Sequence, residues 1–232
     1  MQGVNVVTPE TQLRTGFVLD EHGRIKSTRE PEPTPGPLFT LIRSVSSCAW
    51  AIRADVPGKL AAELDRLAGE EPAIQDLKAR PLHADTYQSV VGGQIESGPA
   101  FTFPDEIPRP GDIALVDSLQ LLERNFRGWT AAEIPERSPI LAVIEGGYPV
   151  SVCFCARNAE TAAAAGLETA AAFRRRGFAL RVTAAWALAI RASGRIPLYN
   201  TSWSNAASLA VARKLGLVQY ASDWSLVGNL GT

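Results

Sequence analysis

The stretch GLETAAAFRRRGFAL, Gly166 to Leu180, joins an apolar strand-like run to a long helical one. The helical run continues without a breaker from Phe178 to about Ser193, with Leu180, Ala184 and Leu188 on one face and Ala187 and Arg191 at its edge. A helix that starts beside Gly177 exposes backbone N–H groups with no intrahelical partner, together with the positive end of the macrodipole. Glycine lets a ligand approach that backbone closely, so the turn suits an anion. Each such contact contributes only ~0.3–1 kcal/mol when exposed. Several converging N–H donors beside Arg174, Arg175 and Arg176 could still hold a pyrophosphate, and a solvated charge run is the plain alternative. The second Gly and the Lys-Ser/Thr pair of a phosphate-binding P-loop are missing, and no G-x-G-x-x-G dinucleotide fingerprint occurs.

Working outward, Ile196–Thr201 reads as a strand, 205–215 as a helix and 217–227 as a strand. Upstream, ILAVIEGG (140–147) and VSVCFCAR (150–157) are strand-like runs joined by Glu145-Gly146-Gly147-Tyr148-Pro149, a hairpin signal. A third strand ends at 166–170, and a short strand at 113–116 precedes a helix expected from Asp117 to Phe126 with an acidic cap. Strand, helix, three antiparallel strands, helix, strand, helix, strand is a mixed α/β layer pattern.

The N-terminal half is less regular. Residues 17–19 and 24–26 flank Asp20-Glu21-His22-Gly23 as a hairpin, and EPEPTPGP (30–37) is an extended connector. Residues 38–53 predict two short strands around a Ser-rich turn. A helix opens at Pro57 and runs to about Leu67, with Leu60, Leu64 and Leu67 on one stripe. GPAFTFPDEIPRPGD (98–112) reads as loop and carries a soft domain boundary.

The 232 residues are 46% hydrophobic and 20% charged with a formal net charge of −1, so disorder and a nucleic-acid-gripping overall field are both disfavoured. Residues 1–112 hold eleven Lys/Arg against sixteen Asp/Glu, and 113–232 hold twelve against eight. Chance surface composition accounts for that asymmetry most simply. Cys48, Cys153 and Cys155 are too few for a disulfide scaffold, and the latter two share one strand face as buried small hydrophobes. No metal-ligand spacing is present, and neither His22 nor His83 has a catalytic constellation around it. No apolar run nears ~20 residues and no leader pattern opens the chain, which predicts a cytoplasmic protein with no membrane contact.

Residues 166–217 resemble the central motif of the GNAT N-acetyltransferase superfamily, and the resemblance extends over about 113–232. That superfamily carries a strand, then Arg/Gln-x-x-Gly-x-Gly/Ala, then a long helix; here the motif is Arg174-Arg175-Arg176-Gly177-Phe178-Ala179. Its later Asn, small residue and Lys-x-Gly-aromatic ending appear as Asn205, Ser208 and Lys214-Leu215-Gly216-Leu217, with Leu in place of the aromatic. The resemblance implies an α+β fold with a central, mostly antiparallel sheet flanked by helices: residues 113–232 form the acyl-CoA-binding catalytic domain, and 1–112 an α+β appendage. It implies acetyl-CoA or another acyl-CoA as co-substrate, with no metal. The pantetheine arm maps to Leu167, Glu168 and Thr169, and the pyrophosphate to the loop amides of Arg175 through Leu180 around Gly177, Phe178 and Ala179, with Arg174 and Arg176 among the cofactor-binding residues. Asn205 and Ser208 map beside the cofactor.

Two departures concern proton transfer. Many relatives place a Tyr where this chain has Ala212, and relatives that acetylate amino termini place a Glu where it has Asn200. An amine of pKa near ~10 must lose a proton before it attacks, whereas a thiolate leaving group needs little acid help. Candidate proton acceptors are Glu160, Glu168 and Glu145, or a water relay, with Tyr199 a further catalytic candidate. Tyr199, Trp203 and Tyr220 flank the motif, and Phe101 and Phe103 are expected to wall the acceptor pocket. The implied activity is acyl transfer to a small-molecule or peptide amine. A non-catalytic acyl-CoA sensor is the alternative, an interaction protein the third reading, and a homodimer is left open.

Overall fold

The computed structural model describes residues 7–230. In chain order these form α1 (Pro9–Gly16), β1 (Phe17–Leu19), β2 (Ile25–Thr28), β3 (Phe39–Arg43), β4 (Cys48–Ile52), α2 (Gly58–Gly69), α3 (Ala84–Val91) and β5 (Gln94–Thr102). Then follow β6 (Ala114–Val116), α4 (Leu119–Leu122), α5 (Glu133–Glu136), β7 (Ile140–Glu145), β8 (Tyr148–Asn158) and β9 (Ala162–Thr169). A 3₁₀ turn (Ala171–Phe173), α6 (Phe178–Ala192), β10 (Ile196–Asn200), α7 (Ala206–Lys214) and β11 (Val218–Val227) complete the chain. The fold is mixed α+β, its sheet mostly antiparallel and flanked by helices. Among the described residues no helix is long and apolar enough to cross a membrane.

Two compact units divide the chain: one holds residues up to Phe101 with Asn200–Ala206 and Gln219 onward, the other Thr102–Tyr199 with Ala207–Val218. In the first, β3 pairs antiparallel with β4 on one side and with β11 on the other, Leu41 lying opposite both Trp50 and Trp224. Leu38, Phe39, Leu41, Leu64, Leu67, Tyr87 and Trp224 form its core. Helix α2 matches its expected stripe, with Ala61 and Ala68 added to Leu64 and Leu67 while Leu60 sits at the margin. Helix α1 was not anticipated, although Thr8 caps it by accepting from the Thr11 N–H at 3.3 Å. Residues 94–102, expected as loop in their second half, form strand β5 despite Gly98 and Pro99.

The second unit is built on antiparallel β6–β7–β8–β9 with β10 added parallel to β9. Directly opposed residues share a face, so the β8–β9 register sorts the side chains. Ser151 opposes Thr169 and Cys153 opposes Leu167 on one face, while Val152 opposes Glu168 and Phe154 opposes Gly166 on the other. Helix α6 covers the first face. Its buried residues are Phe178, Val182, Thr183, Ala184, Trp186, Ala187 and Ile190; Ala184 of the expected Leu180–Ala184–Leu188 line is among them, whereas Leu180 and Leu188 are only half-buried because Trp186 and Thr183 turn onto Cys155 and Cys153. Both thiols are pushed up by burial, as befits core residues. The opposite face carries Val116, Leu122, Phe126, Ile134, Ile140, Val152 and Phe154. The expected 117–126 helix shrinks to Leu119–Leu122, because the chain turns inward there to bury Phe126 and to bond Asn125 to the Pro149 carbonyl.

Gly166 is a packing requirement. A Cβ at this position would lie 2.3 Å from the Phe154 ring. We expect Gly166→Ala to lower stability by about 1–3 kcal/mol, the usual cost of overpacking. Pairing it with Phe154→Leu should recover part of the loss in thermal denaturation.

Candidate active site

The strand-to-helix connection after β9 follows the expected geometry. Arg174 is extended, Arg175 takes a positive φ of 63°, and Gly177 caps α6 in the left-handed region at φ 81°. A non-glycine residue at positive φ costs of order 1 kcal/mol and is kept only where surroundings demand it. The first backbone bond of α6 runs from the Arg181 N–H to the Gly177 carbonyl at 3.4 Å. Among the described residues, the N–H groups of residues 175–180 donate to no backbone acceptor. They are the orphan donors of a helix start, arrayed along one loop.

Arg174 and Arg176 are held rather than loose. Arg174 Nε donates to the Thr169 carbonyl at 3.2 Å, tying the loop to the end of β9. The Arg176 guanidinium lies 5.4 Å from the Phe173 ring and 4.8 Å from the Phe178 ring, and 3.9 Å from a Glu145 carboxylate oxygen. Glu145 therefore sits at this end of the sheet as the counter-charge of Arg176.

β9 also opens on one side. Its parallel ladder with β10 covers only Ala162↔Ile196, Ala163↔Pro197 and Ala164↔Leu198. Among the described residues no strand pairs with β9 beyond Ala164 on its β10 side, although β9 continues to Thr169 paired with β8 on its other side. Leu167, Glu168 and Thr169 thus offer backbone donors and acceptors beside the basic loop.

Glu168 points away from α6. It is half-buried, and burial pushes its carboxyl above the ordinary range; a hydrogen bond with Trp129 and the charge of Arg137 pull it partly back, and Glu133 adds a smaller upward push. Around it lies a cluster that sequence reasoning did not single out. Trp129 packs edge-on against Phe154, ring centroids 4.7 Å apart at 80°. Arg137 covers both rings, at 5.3 Å from Trp129 and 5.1 Å from Phe154. Glu133 holds Arg137 through Nε at 2.9 Å and Nη2 at 2.8 Å, and accepts from the Thr130 N–H at 2.7 Å. Burial pushes Glu133 upward, but the Thr130 and Arg137 donors outweigh it and hold its carboxyl low. The i,i+4 spacing of Trp129, Glu133 and Arg137 was a legible signal; the convergence of Glu168 on them was not, since it comes from a distant segment.

The other candidates are placed differently. Glu160 is exposed in the β8–β9 turn, at the far end of β9 from Glu168. Tyr199 is buried with its hydroxyl 2.6 Å from Ser208 Oγ, and burial pushes the phenol up to about 12. Asn205 immediately precedes α7 and donates its N–H to the Ser202 carbonyl at 3.1 Å. Ala212 is buried at the position where many relatives carry a Tyr. Both amide atoms of Asn200 are buried without a hydrogen-bond partner among the described residues. Phe103 packs 6.4 Å from Trp186 in the core.

Residues 141–224 match the model of the GNAT acetyltransferase family, and the matched segment contains the open edge of β9, the basic loop and α6. Over that segment the chain is similar to the GNAT acetyltransferase family. Solved structures similar to this chain include a GCN5-related N-acetyltransferase-like protein from Streptococcus suis, at 16% identity and TM-score 0.49, covering 83% of this chain and 85% of that one. An acetyltransferase from the GNAT family of Colwellia psychrerythraea shows 12% identity and TM-score 0.48, covering 77% and 76%. A Drosophila protein shows 13% identity and TM-score 0.49, covering 95% and 83%. No curated protein matches the chain.

Proposed function

We propose that this protein transfers an acyl group, acetyl in the simplest case, from a coenzyme A thioester to a primary amine by direct attack. The observation that carries this reading is the loop from Arg174 to Leu180, where unpartnered N–H groups, a left-handed Gly177 and fixed arginines face outward at a helix start. Arg175 through Leu180 would hold the pyrophosphate, and the open edge of β9 at Leu167, Glu168 and Thr169 the pantetheine arm. Asn205 and Ser208 would lie beside the same co-substrate, as the resemblance implies.

Glu168 would act as proton acceptor. Its carboxyl is half-buried with a raised pKa, which matches a base closer to neutral pH than an ordinary glutamate. The backbone N–H groups of Leu167–Thr169 would supply donors for charge developing on the acyl oxygen. Tyr199, hydrogen-bonded to Ser208, would contribute packing rather than acid catalysis, since a thiolate leaves readily. The buried Ala212 also keeps a second reading in play, an acyl-CoA-binding sensor without turnover.

The test is thiol release from acetyl-CoA with a panel of amines, run beside calorimetric titration of acetyl-CoA. Turnover with any amine supports transfer, binding without turnover supports the sensor, and absence of both rejects the reading. We expect Gly177→Asp to weaken acetyl-CoA binding by at least about tenfold, because the new carboxylate opposes the phosphates and an L-residue resists this φ.

A further inference from the structure

The proton acceptor proposed above has a charged pair behind it, and what that pair does is an inference that rests on the acyl-transfer reading. Glu133 is buried and both its oxygens are engaged locally. One accepts from Nε and Nη2 of Arg137 at 2.9 and 2.8 Å, the other from the Thr130 N–H and hydroxyl at 2.7 and 3.1 Å. The chain at the end of α5 is anchored to the sheet as well. The Arg137 carbonyl accepts from the Cys155 N–H at 2.9 Å, and the Ser138 carbonyl from the Cys155 thiol at 3.2 Å. Held at both its backbone and its head, the Arg137 guanidinium lies over the Trp129 and Phe154 rings. Phe154 opposes Gly166, and Glu168 follows two residues on along the same face, about 7 Å further at the rise of a strand. Side chains of alternating charge, Glu133, Arg137 and Glu168, therefore gather on one face around a fixed pair of rings.

Other charged side chains on the packed elements are placed differently. Arg124 lies over the Tyr148 ring at 4.1 Å, Arg157 stands opposite Ala164, Arg176 faces Glu145, and Glu123, Arg127 and Glu136 are exposed. We propose that Glu133 and Arg137 are positioning residues for the transfer: Glu133 fixes the Arg137 cation on the ring pair, and the fixed pair sets the charge that Glu168 meets as it takes the amine proton. Burial acts most strongly on the Glu168 carboxyl, and of the two charges Arg137 favours its ionised form while Glu133 opposes it. That balance matters to a base, which must be ionised to accept a proton yet basic enough to hold it.

Two readouts test this with the full chain. One is the acidic limb of the pH profile of kcat/KM for thiol release from acetyl-CoA with an amine of the panel. The other is the NMR titration midpoint of the labelled Glu168 carboxyl carbon, assigned as the signal that Glu168→Gln removes. In Glu133→Gln both midpoints should move to lower pH, because a like charge is gone and Arg137 is no longer neutralised. In Arg137→Met both should move to higher pH. Arg137→Lys, whose ammonium Glu133 can still hold, should return them toward those of the unaltered chain, and it decides the matter where Glu133→Gln does not fold. A merely structural role would lower kcat or thermal stability and leave both midpoints in place. Midpoints that stay in place, or that move the same way in Glu133→Gln and Arg137→Met, overturn the proposal, as does turnover whose acidic limb ignores the NMR midpoint. If no amine releases thiol, the acyl-transfer reading fails separately and the NMR midpoints alone decide this one.

Discussion

Glu71→Ala is expected to destabilise the protein by about 3–5 kcal/mol, the range for removing one partner of a buried ion pair. The Glu71 side chain is fully buried and that of Arg43 is 3% exposed, with their nearest atoms 3.9 Å apart. Glu71 also accepts from the Leu82 N–H at 3.0 Å, the His83 N–H at 3.2 Å and the Tyr87 hydroxyl at 3.0 Å. Arg43 donates to the carbonyls of Ala79 and Arg80. The pair thereby clips the 71–83 segment onto β3. Removing the carboxylate leaves a buried guanidinium whose own charge burial already disfavours, and it orphans three donors. The double variant Arg43→Met, Glu71→Leu should lose less than the two single losses combined, because no unpaired charge remains. Urea denaturation of the four proteins measures both quantities; additivity would show that the pair is not coupled.

Glu168→Gln is expected to lower kcat/KM by about 10²–10⁴-fold, the usual contribution of a positioned general base. The substitution keeps the shape and one hydrogen bond to Trp129 while removing the basic oxygen. The pH profile carries the sign. A base works when ionised, and the Glu168 carboxyl is raised by burial, so activity should fall on acidification at a higher pH than an ordinary glutamate would cause. Glu168→Gln should abolish that acidic limb. Arg137→Met should move it further upward, because the Arg137 charge is one of the influences holding the carboxyl down. An unchanged limb in both variants would remove Glu168 from the proton path.

The strand, helix and turn order of the C-terminal half was legible because its signals are local. The apolar runs at 140–145 and 148–158, the turn at Gly146-Gly147 and the breaker-free segment after Gly177 each fix one element through neighbouring residues. The anion-suited turn was legible for the same reason: helix polarity and a glycine's freedom at φ 81° are properties of a few consecutive residues. Less could be read where punctuation and pairing compete. Gly98 and Pro99 argue for loop, yet residues 94–102 are held as strand by neighbours far away in the chain. The face of α6 was legible only in part: Ala184 is buried as expected, but alanines fit either face, and the bulk of Trp186 leaves Leu180 and Leu188 half-buried.

By itself, then, the sequence carried a motif that resembles the GNAT family's, the basic helix start and the set of carboxylates from which a base could come. Only the tertiary structure gave those carboxylates different surroundings. Glu160 was carried to the far turn and Glu145 was paired with Arg176, while the β8–β9 register turned Glu168 onto Trp129 and the Glu133–Arg137 pair. The physical reason is that a carboxylate's basicity and reach depend on burial and on charges brought together across the sheet, and neither quantity is written in adjacent residues.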